Sequence, residues 1–388
     1  MDLTPEFRLV LACCLRPGLQ QRRERVRRLA AGVDWDLVQR IAQRHRVEGL
    51  VWNALGEASV PLPAAQGVQR LRERALGIVR DNLFMIRESI RLKRLFDEAG
   101  IGVLFFKGIT LGQLAYGTAA VKMGRDIDVL IDVVDVEKAA RILEAEGYAL
   151  VTPEGAGARD QLGLWHRHWK ESVWSSEDRR IYVELHTALA DNPALLRGVG
   201  MDSPLQEVAV GSGETLPTLA IEPLFAYLCV HGASSAWFRL KWAADLAALL
   251  SSCGPEQIDA LFRRSQELGA GRAAAQALLL CNALFETALP DTLLEELRGK
   301  RVNRLLLAVA LRKLTGRSAV REVQDLRLGT ATIHLSQAAL LGGWRFAAGE
   351  IRRQLISPYD MLAVPLPRAL HFLYPAVFVL RRLRPRRG

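Results

Sequence analysis

Arg125-Asp126-Ile127-Asp128-Val129-Leu130-Ile131-Asp132 alternates polar and aliphatic residues almost without a break. A period of two belongs to a β-strand with one buried face, because successive side chains point to opposite sides of a sheet. Asp126 and Asp128 therefore project the same way, while Ile127 and Val129 enter the core behind them. Like charges held so close repel and raise each other's pKa unless a cation lies between them. Oxygen ligands of this kind suit a hard divalent ion, and Mg2+ or Mn2+ is the expected cofactor. Asp132 shares the face but stands at the strand end, where it reads as a turn cap.

Upstream, Ala99-Gly100 ends a helical pattern, and Ile101 to Phe106 is a short apolar run that predicts the first core strand. Lys107-Gly108 then turns into a helix over Gly108 to Tyr116, a place where backbone N–H groups and a cation can hold phosphate. Downstream, Val136 to Glu146 reads as a helix closed by Gly147, and Tyr148 to Val151 as a strand. Pro153 to Gly163 is a predicted loop. Further strands are predicted at His168 to Trp174 and Arg180 to Thr187, joined by a turn at Ser175 to Asp178. The second of them brings a third carboxylate, Glu184, with His186 on its face.

The flanks are helical in pattern. Residues 1–99 form a helical lead-in with apolar positions three and four apart, clearest in Trp35 to Leu55 and Val68 to Phe96. Strand signals fade after Asp191, so 192–330 is expected to be a helical domain, with breaks at Gly254-Pro255 and Leu289-Pro290. Residues 331–388 form an amphipathic, basic tail, which either lies on an anionic membrane surface or packs back on the helices. Between the flanks, 100–191 is an α/β (α+β) core.

The chain has 388 residues, half of them apolar, enough to bury a sizeable core. Its net charge of +10 is concentrated: residues 16–28 carry +5 and 381–387 another +5, so the rest is near neutral. A protein that tracks long nucleic acid is expected to spread positive charge over its binding face, which makes RNA the less favoured partner. Arginine outnumbers lysine 44 to 8, which draws attention to the few lysines that fall in motifs. Five cysteines without C-x-x-C spacing argue against structural zinc and a disulfide scaffold, and fit a cytoplasmic location. No signal-peptide pattern is present at the N-terminus, and no apolar run approaches the ~20 residues of a spanning helix.

Lys107-Gly108, then Arg125 to Leu130, then Val183-Glu184-Leu185-His186, then His231-Gly232, then Arg239-Leu240-Lys241-Trp242 with Asp245 follow one another in an order that resembles a known family. It is the uncharacterised nucleotidyltransferase family of the DNA polymerase beta superfamily, and the resemblance runs from about Trp35 to Leu250. It implies a mixed sheet with helices, a nucleotidyltransferase core at 100–191, and transfer of a nucleoside monophosphate from a nucleoside triphosphate, expected to be ATP, to a hydroxyl. Asp126 and Asp128 match the metal-binding pair, and Glu184 the third carboxylate. Lys107 and Gly108 stand where the superfamily usually has Gly-Ser, so a hydroxyl contact to phosphate comes from Thr110 or is absent, and Lys107 supplies a point charge instead.

Other polar residues have two readings each. Arg125 approaches a phosphate or balances the carboxylate pair, and His186 orients Glu184 or the bound substrate, or makes a structural hydrogen bond. His231, beside a Gly232 expected to interrupt its helix, contacts base or ribose or sits in the core. Lys241 and Asp245, four apart, form a surface ion pair by default, although the resemblance puts Lys241 at the nucleotide. His166 and His168 are expected to line a sheet surface. The expected acceptor is a hydroxyl of a small molecule, peptide or protein; the alternatives are a tRNA 3′ end, gripped by the arginine-rich tails, and nucleotide binding without turnover.

Overall fold

The computed structural model describes residues 3–377 except 19, 156, 212, 323–328, 357, 365 and 375. Four helices open the chain, α1 (Pro5–Cys13), α2 (Gln20–Leu29), α3 (Trp35–His45) and α4 (Glu48–Glu57), followed by the long α5 (Gln66–Glu98). Local chemistry starts two of them: Thr4 caps α1 by accepting from Phe7 N–H at 3.2 Å, and Asp34 caps α3. In α5 the buried positions Val68, Leu71, Ala75, Ile78, Asn82, Met85, Ser89, Leu92 and Phe96 recur every three or four residues, so one stripe of the helix faces the protein.

The α/β core follows as β1 (Leu104–Phe105), α6 (Gly108–Tyr116), β2 (Asp126–Leu130), α7 (Val136–Ala145), β3 (Ala149–Thr152), α8 (Leu162–His166), β4 (Glu171–Ser176) and β5 (Ile181–His186). The sheet order is β1-β2-β5-β4-β3, mixed as expected, with β2 and β5 parallel and the other neighbours antiparallel. Two readings shift here. The second half of the predicted 153–163 loop leads into α8, which holds His166, so that residue is helical rather than on a sheet surface, and β4 begins at Glu171, leaving His168 ahead of it.

A hairpin, β6 (Leu205–Gly211) and β7 (Glu214–Leu219), stands where strand signals had faded. Pro217 lies within β7, a residue that argues against a strand when read locally. The hairpin instead gains from burying Val208, Val210 and Leu216 in the sheet core. Helices α9 (Ile221–Ser234), α10 (Leu240–Leu250), α11 (Pro255–Glu267), α12 (Gly271–Phe285), α13 (Asp291–Gly299) and α14 (Arg301–Leu314) come next. After them stand α15 (Gly329–Gln337), α16 (Trp344–Leu355) and α17 (Pro358–Ala363).

Helices from both flanks join one hydrophobic core: Phe7, Leu9, Ile41 and Leu50 are buried in the same cluster as Phe225, Leu246 and Leu279. The arginine-rich 16–28 stretch is not a loose tail, because most of it is α2, with Arg22 buried against Glu57 at 2.7 Å and the Cys13 carbonyl at 2.9 Å. The 335–352 stretch is split between α15 and α16 and packs back, through Asn192 to Glu350 at 2.8 Å and Gln337 to the Ser234 carbonyl at 2.6 Å. The final arginines, 381–387, lie outside the described residues. Among the described residues no helix is long and apolar enough to cross a membrane.

Candidate active site

The register of β2 on β5 decides which side chains meet. Asp126 pairs with Tyr182 and Asp128 with Glu184 on parallel strands, so the carboxylates of two distant segments share one sheet face. On the far side of β5, Glu171 of β4 pairs with His186 and adds a fourth acid to that face. Asp128 and His186 are buried, and Asp126, Asp128 and Glu184 all line a cavity.

Three groups converge tightly: ligand atoms of Asp128, Glu184 and His186 all lie within 4.8 Å of one another. His186 Nε2 stands 3.4 Å from both Asp128 Oδ1 and Glu184 Oε2, and its Nδ1 is 3.3 Å from Glu171 Oε2. Asp126 is not in this tight group but lies one strand step further out. Lys107 Nζ rests against Asp128 Oδ1 and is 3.8 Å from Glu184.

The electrostatics follow from this crowding. Burial raises the Asp126 pKa and Asp128 beside it raises it further; burial also raises Glu184. Asp128 goes the other way: burial opposes its ionisation, but Lys107 and His186 outweigh that and hold it well below the usual carboxylate range. Lys107 stays protonated in spite of burial because Asp128 is its neighbour.

The donor set fits a divalent cation. Asp128 Oδ1 and both ring nitrogens of His186 are sealed from solvent without a directed hydrogen bond, since neither the Lys107 ion pair nor the 3.3–3.4 Å His186 contacts have hydrogen-bond geometry. Unsatisfied buried polar atoms are costly, and a shared cation would engage Asp128 Oδ1 and one ring nitrogen of His186. Asp128, Glu184 and His186, with Asp126 beside them, are the residues that would hold it.

A cavity of about 270 Å3 opens over the carboxylates. Lys107, Gly108, Asp126, Asp128, Glu184, His231 and Lys241 line it, so seven of the sequence-chosen residues come together. Gly108 adopts φ +52° as the turn enters α6, a region that favours glycine, and the α6 N-terminus has no side-chain cap. The chain ahead of β2 is fixed from outside: Asn82 of α5 donates to the carbonyls of Ala119 at 2.7 Å, Ala120 at 3.1 Å and Lys122 at 2.8 Å.

Several expectations change. Thr110 is fully buried and its hydroxyl donates to the Phe105 carbonyl at 2.7 Å, so it serves the turn and does not face the cavity. Arg125 is exposed on a neighbouring groove. Asp132 caps a turn, accepting from Val134 N–H at 3.0 Å. Lys241 and Asp245 are not a surface pair: Asp245 is buried, accepts from the Tyr116 hydroxyl at 3.0 Å and pairs with Lys122 at 3.5 Å. Burial and nearby Lys122 lower the Lys241 pKa to about 7. Gly232 does not break α9; a Cβ there would sit 2.5 Å from the Trp237 ring. His231 stacks on Tyr227 and meets Trp242 edge-on at the cavity wall.

Residues 31–286 match the family described as uncharacterised nucleotidyltransferase. The chain belongs to that family. No curated protein matches it. In this nucleotidyltransferase family member the cavity also contains Arg46, Lys122, Lys170 and Glu171, which the motifs did not single out. A signal was present: Lys107, Lys122, Lys170 and Lys241 are four of only eight lysines in the chain, and all four line one cavity.

Proposed function

We propose that the protein transfers a nucleoside monophosphate from a nucleoside triphosphate to an acceptor hydroxyl and releases pyrophosphate. The observation that carries this reading is the register pairing of Asp128 with Glu184 beneath a lysine-lined cavity. Lys107, Lys122, Lys170 and Lys241 and the open N-terminus of α6 bind the triphosphate, and His231 and Trp242 flank the base. A bound Mg2+ or Mn2+ would supply charge neutralisation of the phosphates and of the leaving pyrophosphate. Glu184 or Asp126, both of which line the cavity, takes the proton of the acceptor hydroxyl. His186, with Nε2 3.4 Å from both Asp128 and Glu184, completes the donor set for the cation. ATP is the expected donor, and the free cysteines fit a reducing cytoplasm.

Incubation with Mg2+, labelled triphosphates and candidate acceptors tests the reading. Asp128→Ala is expected to lower pyrophosphate release by at least ~1000-fold, as loss of a central electrostatic group does, while circular dichroism stays unchanged. Wild-type protein that binds no triphosphate in the presence of Mg2+ would exclude it.

One observation favours a second reading, nucleotide binding without turnover: the Lys107 ammonium lies against Asp128, where a cation is needed. Any pyrophosphate production that depends on Asp128 excludes it. The acceptors open to the first reading are a small molecule, peptide or protein on one side and RNA on the other.

A further inference from the structure

A second cavity, of about 1090 Å3, adjoins the lysine cavity and shares Gly124, Asp126 and Glu184 with it. The two meet at the carboxylates, so a reactant lying in the second reaches the side chains that face the first. Their linings differ. The smaller one holds four lysines, whereas the larger is an open groove with seven arginines against three acids, Asp81, Glu88 and Asp178, outside the shared carboxylates.

Some of these arginines are engaged, as Arg91 is with Glu88 and Glu146. Arg87, Arg125 and Arg180 are exposed and make no ion pair among the described residues. The groove follows α5 from Arg74 to Arg91. At 1.5 Å per residue that is about 26 Å, longer than a small metabolite. Two exposed rings stand along it, Phe84 at 58 % and Tyr182 at 50 % exposure. Tyr182 is on the Glu184 face of β5, two residues away, or about 7 Å.

Unpaired cations spread along a groove, with flat rings between them, fit the phosphates and bases of an unpaired strand. An acidic peptide would satisfy the cations but leave the rings without stacking partners. We infer that the groove receives a single-stranded polynucleotide, RNA or DNA, whose terminal hydroxyl is the acceptor and whose last base stacks on Tyr182. This rests on the transferase reading and names its acceptor class. The terminal oxygen attacks the α-phosphorus and a new P–O bond forms. The bond from the α-phosphorus to the bridging oxygen breaks, pyrophosphate leaves with that electron pair, and the hydroxyl proton passes to Glu184 or Asp126.

The test is fluorescence anisotropy of end-labelled, unstructured ten-nucleotide RNA and DNA with the full chain, without triphosphate, across a salt series. At least one of the two is expected to bind, and its identity names the source. Joint replacement of Arg87, Arg125 and Arg180 by alanine should weaken binding more than tenfold and lower the salt slope by about two to three. Tyr182→Ala should weaken it several-fold, and Tyr182→Phe should restore it. Melting temperatures of the variants guard against misfolding. The inference is overturned by absent oligonucleotide binding at 50 mM salt, by binding unaffected in the triple variant, or by polyglutamate competing as well as the oligonucleotide. It is also overturned if the bound strand is not lengthened in an Asp128-dependent way while another acceptor is. A fluorescent triphosphate read separately reports the lysine cavity: failure there sinks the transferase reading, whereas triphosphate binding without oligonucleotide binding sinks only the groove.

Discussion

Lys107 has two possible clients, the Asp128 carboxylate it touches and a triphosphate in the cavity it lines. An ammonium against Asp128 competes with a divalent ion for the same oxygen. Lys107→Met is therefore expected to tighten Mn2+ binding in the absence of nucleotide and to weaken triphosphate binding, both readable by electron paramagnetic resonance and titration. Unchanged or weaker Mn2+ affinity would show that the two cations do not compete. Lys241 gives a pH signature. With its free pKa lowered to about 7, it is half charged at neutrality, and a triphosphate raises that pKa by attraction. Binding then takes up a proton above pH 7, and affinity falls as pH rises from there; below pH 7 the lysine is already charged and the slope flattens. Calorimetry in buffers of different ionisation enthalpy measures the uptake, and Lys241→Met should abolish it and cost ~10-fold in affinity at pH 6.5, about 1.4 kcal/mol.

At the scale of elements, the site depends on how tightly β2 is delivered. Asn82 holds three carbonyls of the approach to that strand from within α5. Asn82→Ala leaves those buried carbonyls without their donor and should cost about 1–3 kcal/mol, seen as a lowered denaturation midpoint, together with a lower transfer rate. The strand itself was readable because the alternation of Asp126 to Leu130 has a period that no helix shares. Register was not readable: that Asp128 faces Glu184 depends on pairing between segments more than fifty residues apart. Thr110 shows a related limit, since sequence places a hydroxyl near the turn but cannot say that the turn's own carbonyls claim it. The β6–β7 hairpin was hidden by Pro217, whose cost is visible locally while the burial of Leu216 beside it is not.

For the whole molecule, the helices before and after the sheet are packed as one mass, with Leu9 and Leu279 in a single cluster. Removing α1 to α4 would expose the face of α12 that packs against α1. The expected outcome is one cooperative thermal transition for the full chain, and an aggregating or molten product when residues 1–65 are deleted; two well-separated transitions in calorimetry would contradict it. The sequence did reveal that both flanks are rich in helix, although not the β6–β7 hairpin in the second. Their union in one core was not legible, because apolar stripes announce that a partner exists without naming it.

The scarcity of lysine has a practical side. With half of the side-chain amines gathered over the carboxylates, three of the four that lie elsewhere, Lys93, Lys138 and Lys300, serve as internal standards. Brief acetylation followed by peptide mass spectrometry thus becomes a footprinting assay: a docked ligand should shield positions 107, 122, 170 and 241 together and leave the three reporters modified as before.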